Sequence, residues 1–341
     1  MRIAKDSFDD ILQDVFSKIL KARDKHQGTN GGPYREQLGA HLILKNPLAR
    51  ASRTESRQKI VSCLCETLWY LSGSDSLEMI EFWVPGYKRH LDDPTATSTP
   101  GAYGPRLFGP AWKDSEVQRV ISQLKKNPSS RTAVIQMFSN ADIKERDAPC
   151  TCVLQFFQRG GCLHLVVYMR SNDAFKGLPH DVFAFTWLQE IIARAVGVPL
   201  GTYQHMVGSL HIYDLDEVAT RQYLDEGWQE VHDSLMPAMP ENEPWTAIEW
   251  LLETEVSLRI ATDAGVIDND IGGGGIDEYW RDLARILHIQ RLLKIQPLAT
   301  SVKKKIVQVG KSIISPYYGD FIRRKSAGAR KSDGPLFDNK R

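Results

Sequence analysis

The 341-residue chain contains no uncharged apolar run long enough to cross a membrane. It has almost no net charge, +1 from 43 Lys and Arg against 42 Asp and Glu. The bulk electrostatics therefore ask for neither a polyanion nor a membrane surface. Arg2, Lys5 and Asp6 stand among few apolar residues at the start, a pattern unlike a signal peptide. No stretch repeats internally. These absences predict a soluble, cytoplasmic protein. The five cysteines are Cys63, Cys65, Cys150, Cys152 and Cys162, an odd number, which argues for reduced thiols over a disulfide framework. Cys63 and Cys65 lie in a helical pattern, where residues two apart face different directions, and structural zinc spacings are wider than Cys-x-Cys. No metal site is expected.

What is present reads as one large folded region with an appendage. Phe8, Ile11, Leu12, Val15, Phe16, Ile19 and Leu20 recur at helical spacing behind Ser7, a suitable N-cap. Asn30-Gly31-Gly32-Pro33 breaks that helix, and Leu42-Ile43-Leu44 reads as a strand. Ile60 to Leu71 is a helix, Thr132 to Phe138 a strand, and Thr202 to Met206 and Leu210 to Tyr213 two more. A helix from Asp216 to Leu224 ends near Gly227. Pro237, Pro240 and Pro244 mark a linker, followed by helices at Trp245 to Ala261 and Asp277 to Leu293 around a Gly272-Gly273-Gly274-Gly275 connector. From Arg323 the chain is basic and polar and is expected to lack structure. Contact of this tail with nucleic acid is a minority reading. The expected organisation is a catalytic domain at 1–235, a helical extension at 236–322 and the tail at 323–341.

Most of the chemistry is concentrated between Asp147 and Phe185. Cys150 follows Pro149 at the mouth of a strand from Val153 to Gln158. Gly160-Gly161 turns it into a second strand, Leu163 to Met169. That strand ends at Arg170-Ser171, a guanidinium fork and a hydroxyl suited to an anion. Then come a Gly177-Leu178-Pro179 turn, Asp181, and an apolar helix from Val182 to Val196 stopped by Gly197. A thiol, an anion-binding pair and a lone carboxyl gathered round one hairpin suit covalent work on a small phosphorylated molecule.

From about Asn30 to about Asp233 these residues resemble the thymidylate synthase superfamily. Pro149-Cys150 is similar to the family's nucleophile motif. Gln155, Arg170-Ser171, Asp173 and Gly177-Leu178-Pro179 fall at its spacing, as do His211 and Tyr213. Glu66-Thr67-Leu68-Trp69-Tyr70-Leu71-Ser72-Gly73 resembles the family's Glu-Leu-Leu-Trp-Phe-Leu-x-Gly, and Gly101-Ala102-Tyr103-Gly104 its Gly-x-Tyr-Gly. Thymidylate synthases have Asn after Gly-Leu-Pro-Phe; Asp181 stands at that position, as in the family's deoxycytidylate and cytidylate hydroxymethylases. Where the family has two arginines at a strand start, this chain has Arg131-Thr132. Arg35 fits the family's phosphate-gripping arginine loop, and equally an exposed loop arginine. The family's short apolar C-terminal tail, which closes over the folate, has no match.

The resemblance implies an α/β (α+β) fold with a large mixed, mostly antiparallel sheet, surrounding helices and a helical C-terminal extension. It also implies a homodimer with shared active sites, a pyrimidine nucleoside monophosphate as substrate and 5,10-methylenetetrahydrofolate as cosubstrate. Cys150 would add to carbon 6 of the base, with its pKa depressed by Arg170. Glu66, its pKa raised by burial, and Tyr103 would assist. Arg131, Arg170, Ser171 and Arg35 would meet the phosphate, Gln155, His211 and Tyr213 the remaining nucleotide, and Asp173 and Gly177 the folate. An asparagine amide matches uracil's N3–H and O4, whereas a carboxylate at Asp181 accepts from cytosine's amino group and, once the ring nitrogen is protonated in the intermediate, from that as well. The expected reaction is 5-hydroxymethylation of CMP or dCMP. Alternatives are methylation of dUMP and non-catalytic nucleotide or nucleic-acid binding. A carboxyl at a helix start also has a plainer role as N-cap.

Overall fold

The computed structural model describes residues 1–28, 32–52, 59–91, 93, 95–109, 112–145, 147–229, 235–261, 275–295 and 300–328. The chain divides into two compact units, Met1–Met236 and Pro237–Arg341. In the first, β1 (Arg2–Lys5) leads to α1 (Phe8–Leu20), β2 (His26–Gln27) and β3 (Pro33–Leu44). Next come α2 (Ile60–Leu71), α3 (Leu77–Trp83), α4 (Tyr103–Leu107) and α5 (Glu116–Lys126). The unit is completed by β4 (Val134–Gln136), β5 (Thr151–Arg159), β6 (Cys162–Asp173), α6 (Gly177–Val196), β7 (Leu200–Tyr213) and α7 (Glu217–Asp225). The strands form one sheet in the order β1-β3-β7-β6-β5-β4, with β2 beside β3. Only β1 with β3 and β6 with β7 run parallel; the remaining pairs are antiparallel. This is the mixed, mostly antiparallel sheet with surrounding helices that was expected.

Gly160 and Gly161 both take positive φ, 57° and 78°, which a two-residue hairpin requires and only glycine adopts cheaply. They join β5 to β6 at the expected place. Other boundaries moved. β3 begins at Pro33, because Tyr34 to Leu38 pair with Tyr213 to Ser209 although their side chains are mostly polar and only half-buried. β7 is one strand instead of two, continuous through Val207 to Ser209 in its pairing with β6. β4 is shorter than Thr132 to Phe138, since the amides of Met137 and Phe138 both turn to the carbonyl of Cys152.

The most informative shift is in α6. It starts at Gly177, so Leu178 and Pro179 belong to its first turn, where proline leaves no necessary donor missing. Asp181 is therefore a helix residue, not an N-cap, and the plain capping role falls away. No side chain caps α6, and Asp173 instead shapes the turn before it, its Oδ1 accepting from the amides of Phe175 (2.8 Å) and Lys176 (3.0 Å).

α6 is apolar on nearly every side and is buried accordingly, against α2 and the sheet. Phe183, Phe185, Trp187, Ile191 and Ile192 are each at most 1% exposed. Within that apolar mass Glu190 forms an ion pair with Arg50, both side chains having no exposure, and Arg50 Nε also donates to the Pro47 carbonyl. On α1, Ser7 caps the helix by accepting from the amide of Asp10, as its position predicts. Buried Asp9 accepts from Ser52 and from the Tyr223 hydroxyl, tying α1 to α7.

The second unit holds α8 (Trp245–Ile260), α9 (Glu278–Leu293), α10 (Thr300–Ser312) and α11 (Gly319–Gly328). Arg291 donates to the carbonyls of Leu258 and Ala261, closing the end of α8 onto α9. Asp282 accepts from the amides of Ile314 and Ser315. Arg323, Arg324 and Lys325 lie in α11, so the first residues of the stretch expected to lack structure are helical; the side of α11 carrying Phe321 buries against this unit. Residues 329–341, and Gly272 to Gly274 of the connector, fall outside the described residues.

The buried pair gives a stability test. Glu190→Gln leaves the Arg50 charge uncompensated and should cost about 3–5 kcal/mol. Replacing both partners together by Met and Leu should restore most of it. Chemical denaturation of the three proteins checks this, and a double replacement as unstable as the single one would refute it.

Candidate active site

The site assembles where the chain enters β5, leaves β6 and starts α6. Arg106 grips the approach to the thiol: its two terminal nitrogens meet both oxygens of Asp142 at 2.8 and 2.6 Å and also the carbonyls of Met137 and Pro100. This fork holds the Asp142 carboxyl down at about 2. Asp147 is bonded in turn by Thr99. Beyond it, Arg170 donates to the carbonyls of Pro149 (3.1 Å) and Ala148 (2.8 Å), while its own amide bonds the Cys150 carbonyl at 2.9 Å. Tyr103 accepts from both the amide (3.2 Å) and the hydroxyl (2.9 Å) of Thr151. The backbone on either side of Cys150 is thus clamped by two residues singled out from sequence.

The thiol itself differs from expectation. Burial pushes the Cys150 pKa up; Arg170 opposes this, but Asp181, Asp147 and Cys152 add to it. The Arg170 guanidinium is engaged with peptide carbonyls beside the sulfur, and carboxyls on the other side offset its charge. Cys152 is likewise raised by burial and sends its sulfur toward the Cys150 carbonyl, in keeping with a packing role.

Glu66 brings a second correction. Burial alone would raise its pKa, yet the net shift is downward because His180 lies against Oε2 and Tyr70 donates to Oε1 at 2.6 Å. Ser62 holds the far side of the same imidazole at 3.2 Å. Burial opposes a charge on His180, but the Cys63 sulfur and the Glu66 carboxylate hold its pKa at about 10. The pair is ionised at neutral pH. His180 stands where the thymidylate synthase pattern carries Phe, and that departure was the available signal for it.

Asp181 sits next to this pair, 7% exposed. Burial first, then the Glu66 charge, lift its pKa to about 8, against the opposing hydrogen bond from Asn172 and the charge of His180. At neutral pH the carboxyl is mostly protonated. Tyr103, its ring stacked on Phe185, feels both Asp181 and Cys150, and its pKa rises through burial foremost. Tyr213 is raised by burial and by Asp173, with Cys150 also within electrostatic reach. His211 lies edge-on to Tyr213, ring centroids 5.0 Å apart. Ser171 follows Arg170 on β6 and pairs with Ser209.

Cys150, Glu66, Tyr103, Asp181, Arg170, Asp173 and Tyr213 therefore share one neighbourhood. Tyr87, in a turn after α3, belongs to it as well: its pKa is raised by burial and then by Glu66, Asp147, Asp181 and Cys150. No local pattern marks Tyr87. Three expected residues lie differently. Arg35 is ion-paired with Glu217 at 2.6 Å and near Asp214 at 3.6 Å. Gln155 Nε2 donates to the carbonyl of Arg131, on the outer side of the sheet where Arg131 itself is exposed. Among the described residues no cluster of His, Cys, Asp and Glu has the form of a metal site, and no helix is long and apolar enough to cross a membrane.

A thiol, an acid–imidazole pair and a buried carboxyl are thus brought together around one hairpin. Comparison with known sequences identifies the family. The chain belongs to the thymidylate synthase family, whose sequence model matches residues 7–230. A thymidylate synthase from Symbiobacterium thermophilum is 31% identical over 179 residues, covering 46% of this chain and 61% of that relative. The chain thus spans less than two thirds of the relative's length.

The resting thiol gives the next test. Alkylation of Cys150 by iodoacetamide, followed site by site by mass spectrometry, should rise with pH to an inflection above that of an exposed cysteine. Arg170→Gln should slow it several-fold at fixed pH, because the cation that favours the thiolate is then gone. An inflection near neutrality would show that the thiolate is already present in the free protein.

Proposed function

We propose that the protein is a one-carbon transferase that 5-hydroxymethylates a cytidine monophosphate. The observation carrying this reading is Asp181: a buried carboxyl close to Cys150, its pKa lifted by burial, at the position where thymidylate synthases have Asn. A neutral carboxyl offers one donor and one acceptor, and cytosine presents an acceptor at N3 and a donor at its 4-amino group. Even when ionised, the carboxyl accepts from the amino group, while uracil's O4 would face it acceptor to acceptor at a cost.

Cys150 adds to ring carbon 6, and the electron pair displaced from the double bond makes carbon 5 nucleophilic. 5,10-Methylenetetrahydrofolate supplies the one-carbon unit that carbon 5 takes up. Asp173 fits this cosubstrate: Oδ1 is committed to the turn before α6, and Oδ2 has no protein hydrogen bond among the described residues, leaving an acceptor for pterin N–H groups. Glu66, with Tyr70 and His180 on its two oxygens, holds an ionised network able to accept and return the protons exchanged at the base. Tyr103 keeps the backbone after Cys150 in place. Water completing the reaction yields a hydroxymethyl group and hydride a methyl group; the likeness of Asp181 to the family's hydroxymethylases favours water. The relative's name favours the second reading, methylation of dUMP.

The sheet face away from α6 leaves Tyr168 and its strand neighbour Met206 substantially exposed, which supports a homodimer. Arg131, exposed and unengaged with this chain's thiol, would then serve the phosphate of the partner's site.

Incubating the protein with methylenetetrahydrofolate and CMP, dCMP, UMP or dUMP, and weighing the products, tests the reaction. A cytidine nucleotide should gain a hydroxymethyl group, and Cys150→Ala should abolish the gain. Asp181→Asn removes the ionised state in which both oxygens accept and which excludes uracil's O4, and should move preference toward uracil by at least about tenfold, since a mismatched buried polar pair costs on the order of 1–3 kcal/mol. Methylated dUMP with cytidine nucleotides untouched would leave thymidylate synthase as the function. For the shared site, mixed dimers of inactive Arg131→Ala and inactive Cys150→Ala should recover activity; none after demonstrated subunit exchange would count against it.

A further inference from the structure

A neutral carboxyl is an ambiguous reader. One oxygen donates and the other accepts, and exchanging them converts a match for cytosine into a match for uracil. Something must break that symmetry, and the surroundings of Asp181 contain it. Asn172 Nδ2 donates to Asp181 Oδ2 at 2.6 Å. His205 Nε2 lies 3.4 Å from Asn172 Oδ1, and the Tyr203 hydroxyl lies 2.6 Å from His205 Nδ1. All are buried: Asn172 is 4% exposed, and His205 and Tyr203 are each 1% exposed.

With Asn172 Nδ2 as the donor to Asp181, the rest of the chain follows in one direction. Burial drives the His205 pKa down to about 3, so the imidazole is neutral, with one donor and one acceptor nitrogen. Tyr203 keeps its proton, its pKa raised well above the ordinary phenol value by burial and by Asp181, and donates it to Nδ1. Nε2 then carries the hydrogen and donates to Asn172 Oδ1. The amide nitrogen of Asn172 is left facing Asp181. A carbonyl oxygen accepts better than a hydroxyl oxygen, so the bond from Asn172 keeps Oδ2 as acceptor and leaves the acid proton to Oδ1. Gly177 leaves room for this: a Cβ there would lie 3.2 Å from Asn172 Nδ2 and 3.6 Å from Asp181 Oδ2.

We propose that Tyr203, His205 and Asn172 form a buried positioning relay that fixes which oxygen of Asp181 donates and which accepts, and thereby sets the preference between cytosine and uracil. The relay rests on the reading that Asp181 faces the base. It assigns a specificity role to residues drawn from β6 and β7, none of which carries out the bond chemistry.

The test is equilibrium binding of CMP and UMP by calorimetry, without folate, to wild type, Asn172→Ala and Tyr203→Phe. Wild type should prefer CMP. Asn172→Ala should reduce that preference by roughly 5- to 100-fold, the range of one lost buried hydrogen bond. Tyr203→Phe, two links away and nearly isosteric, should reduce it in the same direction by less. Infrared spectra at neutral pH supply a readout that general loosening does not move. The protonated-carboxyl band, identified by its loss in Asp181→Asn, should shift to higher frequency when Asn172 no longer donates to it. An unchanged CMP preference and an unmoved band in folded Asn172→Ala overturn the relay while leaving the proposed function standing. If Asn172→Ala does not fold, the same two results in Tyr203→Phe decide. A wild type that binds UMP as well as CMP overturns the base-reading role and the relay with it.

Discussion

Desolvation of one carboxyl is the constraint to which the rest of this site answers. Asp181 lies on a helix buried nearly all round, where an anion is costly. The neighbouring Glu66 is an anion and makes a second one still more costly. The two acids resolve the conflict by dividing the charge: Glu66 keeps it, neutralised by His180, and Asp181 takes up a proton. Two like groups a short distance apart are thereby given opposite states by their surroundings. One can exchange protons with a reacting ring, and the other can present a fixed pattern of hydrogen to it.

The same low-dielectric setting governs the thiol. A buried sulfur beside carboxyls does not ionise readily, whatever guanidinium is at hand, and Arg170 divides its hydrogen bonds among the carbonyls that shape the turn. The free protein is thus arranged as scaffold first. On the proposed function, activation would come from proton transfer into the site's network as the ring is attacked. That order of events would protect the thiol from idle oxidation, because reactivity toward oxidants follows thiolate character.

Much of this was legible beforehand, for physical reasons. Gly160-Gly161 announces its hairpin because few residues tolerate that backbone, and the long, mostly apolar run to Val196 reads as a buried helix. Local pattern failed where pairing overrode it: Tyr34 to Leu38 look like loop and are strand, because β7 provides partners for their backbone. It failed again at Gly-Leu-Pro, where a turn signature is also a legal first helical turn. The pKa expectations for Cys150 and Glu66 had the wrong sign because the first weighed only arginines and the second only burial. Electrostatics at a buried site depends on all of them, and His180, Asp147 and Asp181 come from distant parts of the chain. Asn172 and His205 were invisible for a related reason: only the parallel pairing of β6 with β7 brings them together.

That parallel pairing has a consequence for how such a protein can change. β6, α6 and β7 are consecutive, a strand, a crossover helix and the next strand alongside it. Asn172, Asp181 and His205 come one from each member, so the groups proposed to read the base occupy a single uninterrupted stretch of chain. Cys150, Glu66 and Tyr103 lie upstream of it. Exchange of that stretch between relatives, by recombination or by design, would carry a ready-made vocabulary for one base into a site whose reactive grammar stays where it was.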